Sequence, residues 1–164
     1  MPKSHTLRHC QPCTACCDGW VRMVIYGAEV YPGSPCPHST GAGCKIYDDR
    51  PVDPCRNFEC GWVKENSPLP DWLRPDRAHA MMLPGVRTWQ GRPVDVIVPV
   101  GKRIPPRALK WFKQFAEQQL RPMIYLEQDE GGRDYAKDQN VVAYGPPEFQ
   151  QEIGRLLAAG ERLW

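Results

Sequence analysis

The sequence predicts an α+β protein: a loop-rich cysteine/metal-binding lobe over residues 1–76, then a small α/β region over 77–164 with about two helices and a short mixed sheet. Three observations predict it. All eight cysteines lie before Gly61. The 18 prolines and 14 glycines favour turns, above all in that cysteine-bearing part. Beyond it, apolar runs of strand length alternate with two stretches of helical periodicity. At 164 residues and 41% hydrophobic, the chain can bury a genuine core, so both regions are expected to pack as one compact unit.

The first region opens on Cys10-Gln11-Pro12-Cys13-Thr14-Ala15-Cys16-Cys17. Trp20-Val21-Arg22-Met23-Val24-Ile25-Tyr26 has the β-branched and aromatic content of a short strand. Tyr31-Pro32-Gly33-Ser34-Pro35-Cys36-Pro37 is turn chemistry, because proline and glycine continue neither ladder nor helix. Gly41-Ala42-Gly43 precedes Cys44 and lets backbone approach an ion closely.

In the second region, Gln90-Gly91-Arg92-Pro93 separates apolar runs at 86–89 and 94–100, predicting a turn between strands. Pro105-Pro106 marks a helix start, where proline is tolerated, and Leu109, Phe112, Phe115, Ala116 and Leu120 form its apolar face. Residues 123–126 read as a strand, Glu130-Gly131-Gly132 as a turn and 141–144 as another strand. After Gly145-Pro146-Pro147 comes a helix with Phe149, Ile153, Leu156 and Leu157 on one face, stopping at Gly160. Strand, helix, strand favours a right-handed crossover. Neither strand-to-helix turn carries a glycine-rich phosphate loop, so no nucleotide site is expected.

An even, clustered set of cysteines means disulfides or metal. The start, Met1-Pro2-Lys3-Ser4-His5-Thr6-Leu7-Arg8-His9, is polar and lacks the apolar run of a secretory leader. No later stretch is long and apolar enough to span a bilayer. The expectation is therefore a cytoplasmic protein with reduced thiols, where such spacings point to metal. Adjacent Cys16 and Cys17 would also close a very small strained ring if bridged. The predicted metal ligands are Cys10, Cys13, Cys16, Cys17, Cys36, Cys44, Cys55 and Cys60. Two tetrahedral zinc sites would use all eight, as would two iron–sulfur clusters, or one four-iron cluster plus one zinc. Cys10, Cys13 and Cys16 have the three-residue intervals of a bacterial ferredoxin, and Cys36-Pro37 matches its last ligand, although Cys17 abutting Cys16 does not fit that pattern. Thiolates suit zinc and iron alike. Zinc leads slightly over iron or an iron–sulfur cluster, because two four-thiolate sites need no inorganic sulfide.

Cys10-x-x-Cys13-x-x-Cys16-Cys17, Cys36-Pro37, Cys44-Lys45-Ile46-Tyr47-Asp48-Asp49-Arg50-Pro51 and Cys55-Arg56-Asn57-Phe58-Glu59-Cys60 together resemble the CxxCxxCC family of zinc- or iron-chelating proteins, the YkgJ-like cysteine cluster proteins. The likeness covers roughly the first third of the chain and runs more faintly through Asp71-Trp72-Leu73-Arg74-Pro75-Asp76. Thr14 stands where that family often has glycine. The resemblance implies metal chelation and little more. Larger relatives, the flagellin lysine methylases, couple a similar cysteine set to an iron–sulfur cluster and protein-lysine modification. No methyl-donor domain is recognisable here, so that activity is not carried across.

Around the thiols, Arg22, Lys45, Arg50 and Arg56 are candidates to screen thiolate charge or hydrogen-bond sulfur. His9 and His38 neighbour Cys10 and Cys36 and are read as exposed or supporting residues rather than ligands. Asp18, before Gly19, is read as a turn cap, and Tyr47 and Phe58 as a shell that keeps water off the site. Trp62, Trp72 and Trp89 are read as core, and His79 as a strand residue. No Ser/His/Asp set or paired carboxylates support hydrolysis. A net charge of +2, from 21 basic and 19 acidic residues, gives no reason to expect nucleic acid or membrane as partner. Three functions remain: a metal-binding protein whose lobe folds around zinc or iron, an iron–sulfur protein of redox chemistry or protein modification, and a zinc module that docks on a protein partner.

Overall fold

In the computed structural model, which describes residues 7–128 and 139–164, the chain runs β1 (Met23–Ile25), β2 (Ala28–Val30), α1 (Pro75–Ala78), β3 (Ala80–Trp89), β4 (Arg92–Pro99), α2 (Pro106–Gln119), β5 (Met123–Gln128), β6 (Gln139–Tyr144) and α3 (Pro147–Ala158). The α+β class is as expected, with one small mixed sheet. Its order is β3-β4-β5-β6, antiparallel except for the parallel pair β4 and β5, which α2 connects. The turn expected at Glu130-Gly131-Gly132 lies outside the described residues.

Both sheet faces are covered, which is why β3 and β4 read as near-continuous apolar runs. Met81, Leu83, Val94, Val96, Val98, Ile124 and Leu126 point to one face, against Phe149, Ile153 and Leu156 of α3. Ala15, from the cysteine run, is buried in this same cluster, so the two regions share a core. Ala80, Met82, Ile97, Met123 and Tyr125 point to the other face, against Ala108, Phe112 and Ala116 of α2 and Trp62, Leu69 and Leu73. Each fully buried Phe contributes roughly 1.5–3 kcal/mol relative to exposure. Trp62 and Trp89 are core residues, as expected, and Trp72 is partly buried beneath the Arg107 guanidinium, 4.2 Å from its ring centre.

Several local expectations are corrected. The strand ending at Trp89 begins at Ala80, because Pro84-Gly85 is absorbed where the β3–β4 register shifts between Leu83 and Arg87. A bulge on this edge strand tolerates a proline that a regular ladder would not. The hairpin turn is only Gln90-Gly91, with φ of 47° and 74°, the two-residue geometry that matches strand twist. Pro93 lies inside β4, but β5 pairs with β4 only from Asp95, so its missing N–H breaks no ladder on that side.

His79 is not a strand residue. It caps α1 in the left-handed region (φ 52°), turning the chain into β3. Leu120 leaves the α2 face because it is that helix's left-handed cap, 61% exposed. Leu157 likewise sits at the rim of α3, 39% exposed. The strand expected from Trp20 starts only at Met23, since Trp20 belongs to the preceding turn. Among the described residues no helix is long and apolar enough to cross a membrane.

Candidate metal centre

Each cysteine is held by local backbone geometry. Cys10 and Cys13 flank a turn closed by the Cys13 N–H donating to the Cys10 carbonyl at 2.8 Å. Cys16 and Cys17 begin a wide turn over Cys16–Trp20, in which Asp18 N–H donates to Thr14 O (2.8 Å) and Thr14 Oγ1 to Asp18 Oδ2 (3.0 Å). The Asp18 carboxylate thus accepts from the Thr14 hydroxyl rather than from a backbone N–H, so it braces the turn without capping it. Thr14 is buried, and its hydroxyl supplies that bond. Gly19 (φ 99°) presses this turn onto the backbone of Tyr31, whose oxygen would be 2.1 Å from an added Cβ. That leaves room for glycine alone.

The β1–β2 hairpin carries the chain to Cys36, whose N–H donates to the Cys17 carbonyl at 2.7 Å. Cys44 returns beside it through a bridge pairing with Ser39. Cys55 lies in a turn over Val52–Arg56, and Cys60 is held by its neighbour Gly61, whose N–H donates to Met82 O on β3 (2.8 Å). The N-terminal arm is clamped by Arg8, which donates to Trp62 O (2.9 Å), Leu69 O (2.7 Å) and Asp71 (3.0 Å).

These pieces bring all eight cysteines, each a free thiol, to the wall of one cavity of about 90 Å³. That is several times the space a single water requires. Among the described residues no three His, Cys, Asp or Glu side chains form a ready-made ligand group, so the thiols surround a space rather than converge on a point. The Cys16 and Cys17 Sγ atoms lie 3.9 Å apart, within hydrogen-bond reach of each other. Met23, Ile25, Ile46, Phe58 and Met81 complete an apolar lining. Tyr47 joins Phe58 there, as the water-excluding role requires.

The electrostatics follow from burial and proximity. Burial pushes the Cys10, Cys13 and Cys55 thiols up, and Cys60 to about 11. Cys16 is raised well above its ordinary value, first by its hydrogen bond to Cys17 and then by burial. That bond lowers Cys17 to about 7, which makes it the most acidic of the thiols so described.

Of the four cationic candidates, only Arg50 lines the cavity. Its guanidinium stacks on Tyr47, and its charge acts on Cys10, Cys17 and Cys55. Arg56 instead braces the loop, donating to the carbonyls of Arg50 (3.1 Å) and Asp48. Arg22 and Lys45 do not reach the wall. His38 reaches it, edge-on to Tyr26, whereas His9 is exposed and away from it.

Two features were not foreseen. Arg50 Nε and Trp62 Nε1 are buried without a hydrogen-bond partner, and both residues line the cavity. A buried orphan donor is costly unless something accepts from it. In their chemistry, eight soft sulfur donors, two unpartnered N–H groups and an apolar wall fit a thiolate-bound metal, with the sulfurs still to be drawn together and deprotonated by the ion. Compared with protein-family models, curated proteins and solved structures, the chain matches none.

Proposed function

We propose that the chain is a cysteine-cluster metal-binding protein of the CxxCxxCC, YkgJ-like kind, chelating zinc or iron through Cys10, Cys13, Cys16, Cys17, Cys36, Cys44, Cys55 and Cys60. The observation that carries this reading is the gathering of all eight thiols, from segments up to 50 residues apart, at one cavity. Arg50 offsets the negative charge that deprotonated thiolates bring, and its Nε and the Trp62 indole N–H supply donors for sulfur. A bound metal would supply cross-links for the loops and a Lewis-acid or, with sulfide, a redox centre. Zinc is slightly favoured, because four-thiolate sites consume every cysteine without added sulfide. The proposed compartment is the cytoplasm, where free thiols persist.

The test is metal and acid-labile sulfide content, with a visible spectrum, on protein purified without oxygen. About two colourless zinc ions per chain, or iron with sulfide and a brown chromophore, would support chelation and select the metal. Protein that holds neither metal, even after anoxic reconstitution, overturns it. Stripping the metal with a competing chelator should lower, without abolishing, amide-exchange protection in the cysteine loops while β3, β4 and α2 keep theirs, because metal binding adds to the stability of such lobes.

A further inference from the structure

We infer that the eight thiols divide into two four-cysteine sites: Cys10, Cys13, Cys16 and Cys60 in one, Cys17, Cys36, Cys44 and Cys55 in the other, so that adjacent Cys16 and Cys17 serve different sites. The inference rests on the metal-binding reading above and assigns its ligands.

Packing separates the two sets. Cys13, Cys16 and Cys60 lie against the core cluster built on Ala15, Met81 and α3. Cys36 is buried in a different cluster, with Ile25 and Val30 of the β1–β2 hairpin, and Cys17 and Cys55 pack against that one. Backbone geometry adds the remaining members. The 10–13 turn ties Cys10 to Cys13, and the Ser39–Cys44 pairing, with Ser39 N–H donating to Cys36 O (3.0 Å), ties Cys44 to Cys36. The Cys36 N–H to Cys17 carbonyl bond joins Cys17 to the hairpin set.

The 3.9 Å between Cys16 and Cys17 Sγ is close to the edge of a thiolate tetrahedron, about 3.8 Å for zinc–sulfur bonds of about 2.3 Å. Distance alone would therefore allow both sulfurs on one ion. Packing assigns them apart, because successive side chains of this turn enter different clusters.

The test loads the full chain with Zn²⁺ without oxygen and counts zinc retained against a weak chelator. Cys60→Ser and Cys44→Ser should each keep about half of the unmodified protein's zinc. Cys36→Ser/Cys44→Ser, within one set, should keep the same half, whereas Cys44→Ser/Cys60→Ser, across sets, should keep almost none. Loss of all zinc from either single variant, or equal loss from the two double variants, overturns the division. A measurement on the unmodified chain guards against misfolded variants. Loaded with ¹¹³Cd²⁺, it should give two NMR resonances without cadmium–cadmium coupling. Coupled resonances mean a bridging sulfur and overturn the division while leaving chelation intact. A chain that takes up neither ion overturns the division, and one that also fails anoxic reconstitution with iron and sulfide overturns chelation itself.

Discussion

The Arg50 guanidinium lies 3.8 Å from the centre of the Tyr47 ring, and its Nε is buried with no hydrogen-bond partner. Stacking fixes the plane of the guanidinium, so the orphan N–H is oriented rather than free to seek water. Beside thiolates it would become a charge-assisted donor, worth roughly 1.5–3 kcal/mol. Arg50→Leu should therefore release zinc to a competing chelator about tenfold more readily, equivalent to about 1.4 kcal/mol. Arg50→Lys should recover part of this through charge alone. Unchanged competition in Arg50→Leu would remove Arg50 from the site.

Cys16 and Cys17 should differ sharply in the metal-free, reduced protein. Cys17, lowered to about 7 by its hydrogen bond from Cys16, carries far more thiolate at neutral pH than Cys60, pushed up by burial to about 11. Brief iodoacetamide treatment followed by peptide mapping should find Cys17 labelled first, and bound zinc should suppress that label. Comparable labelling of Cys16 or Cys60 would contradict the hydrogen-bond direction. The sign of the stability effect follows from linkage. Cys17 is lowered from 9.0, so its contribution is present above pH 9 and lost as pH falls through about 7. Cys60 is raised from 9.0, so its contribution is present below pH 9 and lost as pH rises through about 11. With respect to these two thiols, the metal-free lobe should be most stable near pH 9.

The sheet and its helices were legible because their signals are local. Phe112 and Ala116, or Phe149, Ile153 and Leu156, repeat at helical spacing, and Gln90-Gly91-Arg92-Pro93 breaks two apolar runs, although Arg92 and Pro93 prove to lie in β4. The misread positions are decided by neighbours distant in sequence. His79 takes a left-handed cap where its carbonyl accepts from the Val100 N–H at 3.0 Å, and Pro84-Gly85 survives in β3 because the Gly85 N–H has Asp95 Oδ1 as acceptor at 2.9 Å. At the candidate site the cysteines were visible as a pattern, since thiols are few and confined. Which hydrophobic cluster each cysteine loop joins was not, because that is set by tertiary packing. Nor could Arg50 be told from Arg22 or Arg56 as the cation at the wall. Only tertiary placement leaves its Nε unpartnered, and no spacing marks Arg8 as the clamp on the arm that presents Cys10.

Arg121 donates to both carboxylate oxygens of Asp95, at 2.7 and 2.5 Å, and Asp95 is almost fully buried on β4. This pair joins the end of α2, the bulge in β3 and the entry to β5. Removing one partner of a buried pair costs about 3–5 kcal/mol. Arg121 is about a quarter exposed, and Asp95 keeps the Gly85 N–H, so the expected loss for Arg121→Met is nearer 2–3 kcal/mol. Urea unfolding followed by circular dichroism should show it, with metal content unchanged because the pair is remote from the cavity. Asp95→Asn/Arg121→Met should lose less than the sum of the single changes. Additive losses would mean that the pair contributes no coupling.

Gly19 and Gly27 both have positive φ, 99° and 81°, but only Gly19 is closely confined. An added Cβ at Gly19 would sit 2.1 Å from Tyr31 O, inside any permissible contact, whereas at Gly27 nothing lies within 4 Å. Gly27→Ala carries only the backbone penalty of a left-handed alanine, roughly 1 kcal/mol. Gly19→Ala must in addition push the Cys16–Trp20 turn off the segment at 31–32, and that movement carries Cys16 and Cys17 with it. The expected outcome is near-wild-type zinc content for Gly27→Ala and loss of most bound zinc for Gly19→Ala. The β3–β6 sheet should still give its circular dichroism signal in both, since most of its core lies outside this turn. Full zinc retention by Gly19→Ala would show that the turn can move without disturbing either thiol, and the close packing on Tyr31 would then have no part in holding metal.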